Sequence, residues 1–336
     1  MRRFCGIFFV GAAVLCLCVF LLKNQGEAKT RSVQPEYIFT YAENQPEDYP
    51  TTQAAKYFGD LLKEETDGRI WITLYSGGAL GTEDQVIDQL RYGGIDFARI
   101  SVMSLAEEIP YLNVLQLPYL YRDADHMWRV LDGAIGEECM AGLSSSGLEG
   151  LAWYDAGARH IYNSKYPVER LEDMNGLRLR TAPSALMKNM VKALGAQPVS
   201  MEYSDVYAAL ETGEIDGAEN NLPSYDTMKH YEYAPYLTLT SHNRIPELHL
   251  MSSETWKKLS KNDQDLVKKC AKKAALYERE LWAEKEKDLL ETLKQKGCHV
   301  TILNNQEQRR FHAMAATVYK YYYKEYSDLL ERIEGE

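Results

Sequence analysis

Residues 175–221 read NGLRLRTAPSALMKNMVKALGAQPVSMEYSDVYAALETGEIDGAENN, a pattern of strand, helix, loop, helix and strand. The first strand carries Arg180 into a turn that contains Pro183, and Leu177, Leu179 and Ala182 around it make the arginine alternate with core residues. The last strand ends at the amide pair Asn220 and Asn221, with Gly217 ahead of them. Ligands of open α/β sheets sit beyond the carboxyl ends of the strands. A guanidinium fork and side-chain amides at those ends suit a carboxylate. The segment holds no evident nucleophile, metal-ligand cluster or phosphate loop, which suggests holding a small organic acid rather than transforming it. Arg178 shares strand parity with Arg180, and the residues alone leave open which of the two is functional. A surface arginine paired with Glu172 or Asp173 is the plainer alternative for Arg180.

Outward from this stretch, strand and helix alternate. Tyr37 to Tyr41 is a short apolar run ending at Glu43 and Asn44; Ala54 to Leu62 has helical spacing; Ile70 to Tyr75 alternates as a strand. Thr82-x-x-Gln85 is a capping box that opens a helix carrying Val86, Ile87 and Leu90. Gly93-Gly94 closes it, and Ile95 to Ile100 reads as a buried strand. Ala185 to Leu194 is an amphipathic helix stopped by Gly195. Leu90 to Asp96 (LRYGGID) echoes Leu210 to Asp216 (LETGEID): each is a helix end, a glycine and a strand. One leads to Arg99 and Ser101, the other to Asn220 and Asn221, as expected of two similar α/β units aiming strand ends into one cleft. Beyond Ser252 the chain turns helical and charged: Asp263 to Lys296 reads as one helix, His299 to Leu303 as a strand and Asn305 to Ile333 as helix. The tyrosines at 319, 321, 322 and 323 suit a helix docked on a domain surface.

Composition bounds the function. A chain of 336 residues that is 45% hydrophobic and 26% charged holds about two domains with ordinary cores. A net charge of −11 argues against nucleic acid, which needs a clustered basic face. Any anion site must be a local basic pocket. Arg2 and Arg3 precede a run from Phe4 to Leu22 that is apolar apart from its cysteines and glycines, closed by Lys23 and Asn24. This is an export signal. Its length approaches that of a membrane span, so residues 1–28 are either a signal peptide cut near Ala28 or a retained anchor. Leu15 and Leu17, ahead of Cys16 and Cys18, are large for a lipidation site. Cys139, Cys270 and Cys298 would then be left, an odd number without C-x-x-C spacing, which points to buried or free thiols. The expected location is the periplasm or the outer face of the cytoplasmic membrane.

At this point the residues resemble a family. The chain is similar to the extracytoplasmic solute-binding proteins of TRAP (tripartite ATP-independent periplasmic) transporters over nearly all of its mature length. The likeness rests on Thr66-Asp67-Gly68-Arg69-Ile70, Gly77-Gly78-Ala79-Leu80-Gly81, Leu117-Pro118-Tyr119, Asp173 through Arg180, Gly195-Ala196-Gln197-Pro198, Val206 through Leu210 and Ile215 through Asn220. It implies an α/β, two-lobed periplasmic-binding-protein-like fold with crossing strands and a long C-terminal helix bridging the lobes. One lobe would comprise 36–157 with 246–285, the other 158–245 with 286–330. It implies that Arg180 pairs with the ligand carboxylate, that Asn220 assists and that Arg159 is a second basic position. It also implies a monomer that needs no cofactor and delivers its ligand to TRAP membrane permease subunits.

The substrate class follows from finer likeness. Tyr41-Ala42-Glu43-Asn44, Tyr154-Asp155-Ala156-Gly157-Ala158-Arg159 and Ala218 through Pro223 resemble hexuronate-binding members, so glucuronate or galacturonate is the expected ligand. Glu43, Asn44 and Asn221 are of the type that reads sugar hydroxyls, and Tyr154 and His242 are further candidates. A C4-dicarboxylate or another sugar acid is the alternative, although a dicarboxylate would need a second strong cation and Glu43 in the pocket would repel it. A lyase or hydrolase would need a paired acid and base or a metal site, and the chain has no H-E-x-x-H, G-x-S-x-G or G-x-x-x-x-G-K-[ST]. A ligand-sensing module for a signalling partner is the other class consistent with an anchored, acid-binding domain.

Overall fold

Residues 34–336 are described in the structure, a computed structural model. The export segment expected over residues 1–28 lies outside the described residues. No described helix is long and apolar enough to cross a membrane.

The alternating segments pair into two sheets. The first contains β1 (Tyr37–Ala42), β2 (Ile70–Tyr75), β3 (Phe97–Ser101), β4 (Leu148–Tyr154) and β10 (Glu247–Ser252), in the order β2-β1-β3-β10-β4. The second contains β5 (Ala158–Asn163), β6 (Arg178–Thr181), β7 (Gln197–Ser200), β8 (Gly217–Asn221), β9 (Tyr236–Arg244) and β11 (His299–Ile302), in the order β11-β9-β5-β8-β6-β7. In each sheet a fully buried strand, β3 or β8, runs parallel to a neighbour of its own unit, β1 or β6, and antiparallel to a crossing strand, β10 or β5. The sequence echo is therefore structural. The helices Glu83–Tyr92 and Val206–Thr212 both end at a left-handed glycine, Gly93 (φ 72°) and Gly213 (φ 71°), before β3 and β8 begin.

Two connectors join the sheets side by side. Asp155–Gly157 carries the chain from β4 to β5, and Ile245–Pro246 carries it from β9 to β10, with Tyr154 paired to Glu247 and Ala158 to Arg244. Gly157 is required there: its φ is +61°, and a Cβ would lie 2.3 Å from Glu286 Oε1 and 2.8 Å from Trp282 Nε1. Both of those residues belong to the segment Lys261–Glu286, a long helix of 26 residues. This helix packs on the helix Pro50–Glu65 and on β4 at the first sheet and reaches the helix Leu222–Thr227 at the second, so it spans both units.

One apolar core runs from Ala98, Ile100 and Leu105 through Leu179, Leu186 and Met190 to Phe311, Leu330 and Ile333. A second lies between β1 and the helices Pro50–Glu65 and Lys261–Glu286, and a third beneath β8 and β9. The C-terminal expectations need correction. The long helix stops at Glu286, and a second helix, Leu289–Gln295, starts after Asp288, which takes a left-handed φ of 59°. The helical span expected from Asn305 to Ile333 is Asn305–Ala315, a 3-10 stretch Ala316–Tyr321 and Tyr323–Gly335. The break lets Tyr319 and Tyr322 pack on the core while Tyr321 and Tyr323 stay exposed.

Candidate ligand-binding cleft

A cavity of about 450 Å³ opens between the sheets, at the carboxyl ends of β3, β6 and β8. The strand ends fix its chemistry. β3 brings Arg99 and Ser101, β6 ends in Arg180 ahead of Ala182 and Pro183, β8 brings Asn220 and Asn221, and the crossing strands bring Arg159 and Glu247. Burying so many polar side chains is costly unless each finds a partner or is reserved for a ligand. Counting donors separates the three arginines.

Arg99 is saturated. A guanidinium has five N–H donors. Nε and Nη2 of Arg99 reach Glu43 Oε1 at 3.0 and 2.7 Å, Nη1 reaches Glu83 at 2.7 Å and Glu247 at 2.6 Å, and Nη2 also donates to Asn44 Oδ1. Arg159 is neutralised within the protein. Its Nε and Nη2 grip the Glu219 carboxylate at 2.5 and 2.9 Å, and Nη2 also meets the Glu219 carbonyl at 3.0 Å. Burial pushes the Glu219 carboxyl up, but Arg159 and His242 outweigh it and hold the group down at about 2. Arg180 differs from both. It is as buried as they are, yet among the described residues its only partner is the Met201 carbonyl, met by Nε at 3.1 Å and Nη2 at 2.9 Å. Among the described residues no carboxylate is in ion-pair contact with it. Burial, with the Arg159 charge nearby, lowers its pKa from the ordinary arginine value. An unpaired cation facing a cavity has its remaining N–H groups free for an anion.

Arg178 has a structural role: it is partly exposed and bound to Asp216 at 2.8 Å. Glu172 and Asp173, the surface partners weighed for Arg180, bind Arg310 and Arg170 instead.

Of the eight expected site residues, Arg180, Arg159, Asn44, Asn220 and Asn221 line the cavity. Asn220 Oδ1 accepts its neighbour's N–H at 2.9 Å, and its Nδ2 has no partner among the described residues. Asn221 Oδ1 caps the helix Leu222–Thr227 at Ser224 N, 2.7 Å away. The other three, Glu43, Tyr154 and His242, do not line this cavity. Glu43 is turned onto Arg99, Tyr154 onto His249 Nδ1 at 3.2 Å, and His242 onto Glu219 at 3.3 Å and Thr240 at 2.8 Å. They brace the residues that face the ligand space.

Several lining residues had no sequence signal of their own: Glu83, Tyr49, Glu202, Tyr203, Glu247 and Trp282. Glu83 opens a helix and Trp282 sits deep in the long helix, so periodicity reads them as an N-terminal acid and a core residue. The Tyr203 hydroxyl, beside Ser224 and Gln45, and the Thr51 hydroxyl are buried without a well-formed hydrogen bond. Glu247 Oε2 accepts from Arg99 Nη1, while its Oε1 has no partner among the described residues. The cleft thus offers one unpaired cation and several uncommitted hydroxyl, amide and carboxylate groups, a set suited to a polyhydroxy acid.

The family model of bacterial extracellular solute-binding protein family 7 (DctP) matches residues 41–326. A galacturonate complex of a TRAP periplasmic solute-binding protein from Bradyrhizobium sp. BTAi1 superposes with a TM-score of 0.86 at 39% identity, covering 89% of this chain and 100% of that one. A D-glucuronate complex from Pseudomonas putida F1 superposes at 0.86 with 37% identity, covering 89% and 97%. A solute-binding protein of Chromohalobacter salexigens is 34% identical over 284 residues, 84% of each chain.

Proposed function

This chain belongs to bacterial extracellular solute-binding protein family 7, and on that premise we propose that it is the extracytoplasmic receptor of a TRAP transporter for a hexuronate. The observation that carries this reading is the unpaired guanidinium of Arg180 at the cavity wall. A ligand carboxylate completes its hydrogen bonding, and Asn220 Nδ2 is the adjacent donor. The hydroxyls of a pyranose then meet the uncommitted groups of Tyr203, Thr51 and Glu247. The solved relatives bound to galacturonate and glucuronate support the same ligand class.

The segments 36–157 with 246–285 and 158–245 with 286–330 act as two lobes on the paired connectors. Because both lobes contribute contacts, ligand stabilises the closed form by its differential affinity for that form. The closed receptor is then read by an ion-gradient-driven permease in the membrane, outside the cytoplasm, and the ligand is handed over chemically unchanged. A thermal-shift screen of the purified protein against uronates, aldonates, dicarboxylates and sialic acid tests this, since ligand bound to the native state raises the melting temperature. A rise with glucuronate or galacturonate is expected. A response confined to sialic acid or dicarboxylates contradicts the uronate assignment.

A further inference from the structure

The cleft is polarised. At the second sheet stands Arg180, a cation with no carboxylate in ion-pair contact among the described residues. At the first sheet stands the reverse, one arginine shared by Glu43, Glu83 and Glu247. Side-chain exposure orders this cluster from back to front. Glu43 (0%) is fully buried and stands off the cavity, while Glu83 (15%) and Glu247 (14%) line it beside Arg99 (3%). The two front glutamates differ in what they have left to offer. Glu83 is committed on both oxygens, to Arg99 and Asn44 through Oε1 and to Ser101 N and Ser104 Oγ through Oε2. Glu247 Oε1 is uncommitted.

With the ligand carboxylate on Arg180 as proposed above, we infer that Glu247, backed by Glu83, is the specificity-determining wall of the cleft. Its open Oε1 accepts a ligand hydroxyl, and the excess negative charge of the cluster turns away a second carboxylate. Arg99 cannot rescue a diacid, although it lines the cavity, because its five N–H donors are occupied. The receptor therefore takes polyhydroxy monoacids and rejects diacids by charge, which is discrimination through repulsion. Glu43, although acidic, does not line the cavity; its Oε1 accepts from Arg99 and from Gln45 N.

The wall carries its own pH signature. Burial, and secondarily the charges of Glu83 and Glu43, raise the Glu247 carboxyl to about 7 against the lowering pull of Arg99. The charged and titratable groups that feel it are Arg99 on β3, Glu83 at its helix start, Glu43 after β1, Arg159 on β5, Tyr49 ahead of Pro50–Glu65 and Glu278 on the long helix. Rejection of a diacid is strongest above this value, where Glu247 is ionised, and eases below it.

Calorimetry with D-glucuronate, D-galacturonate, succinate and D-glucarate tests the wall on the intact purified protein. The wild type is expected to bind a uronate about a hundredfold or more tighter than either diacid, and Glu247→Gln to narrow that gap by about tenfold. Glu83→Gln narrows it in the same direction, which keeps the test alive if the first variant folds poorly. The wild-type gap should also shrink between about pH 8 and about pH 6 and stay flat in Glu247→Gln, a change that a merely structural role would not produce. A bound uronate with a gap unmoved by either substitution and by pH overturns the wall and leaves the Arg180 reading standing. A wild type that prefers diacids to uronates overturns both.

Discussion

Replacing Arg180 by alanine separates binding from folding. Arg180 is 4% exposed, and among the described residues its guanidinium has one acceptor, the Met201 carbonyl. Opposite charges about 4 Å apart at an effective dielectric of ~20 attract by about 4 kcal/mol. Truncation that strands one member of a desolvated charged pair costs about 2–5 kcal/mol. Affinity for the uronate should therefore fall roughly thirtyfold to several thousandfold. The ligand-free protein should respond differently. No carboxylate loses its partner, since Glu219 keeps Arg159 and Glu43, Glu83 and Glu247 keep Arg99. Removing an unpaired buried cation also relieves a desolvation cost. Stability in urea should stay within about 1 kcal/mol of wild type or rise. Arg180→Lys should recover little affinity, because an ammonium lacks the bidentate fork. Calorimetry and urea denaturation on the same preparation read both quantities. Affinity within threefold of wild type would remove Arg180 from the site. A large loss of stability in the ligand-free protein would show that it serves the fold instead.

Arg99→Ala should do the opposite: it strands three glutamates, two of them lining the cleft, and should cost about 3–5 kcal/mol in urea denaturation at neutral pH; a stability equal to wild type would refute the network. Gly157→Ala places a methyl 2.3 Å from Glu286 Oε1 at a φ of +61°, so a loss of roughly 1–3 kcal/mol is expected, and a melting temperature like that of wild type would show that the connector tolerates a side chain. The Glu219 carboxyl lies at about 2 against its ordinary 4.5, so its contribution to stability is complete above about pH 4.5 and is lost as the pH falls toward 2. Acid titration of Glu219→Gln by circular dichroism should show a shallower stability change across that window, and an unaltered profile would place the acid sensitivity elsewhere.

Much of the fold was legible because its signals are local. The capping box at Thr82 and Gln85, the glycines after Tyr92 and Thr212 and the buried runs of β3 and β8 are all short-range patterns that the three-dimensional structure respects. The break at Asp288 was not legible, because a left-handed aspartate leaves no mark on helical periodicity. The cavity lining was legible where strand ends deliver it: the places of Arg180, Asn220 and Asn221 follow from strand plus topology. Its acidic half was not. Arg99 gathers partners 56, 16 and 148 positions away, Glu43, Glu83 and Glu247. Side-chain parity cannot foresee that Glu43 turns back to Arg99 while Glu247, from a distant strand, takes the cleft wall. Residue type pointed to an acid that repels dicarboxylates; tertiary pairing decides which glutamate that is.

The most direct measurement is a crystal structure of the mature protein grown with galacturonate. The sugar's carboxylate should sit within about 2.7–2.9 Å of the Arg180 guanidinium, beside Asn220, with a hydroxyl turned to Glu247 Oε1. A sugar bound with its acid group on another cation, and Arg180 left on the Met201 carbonyl alone, would contradict the account.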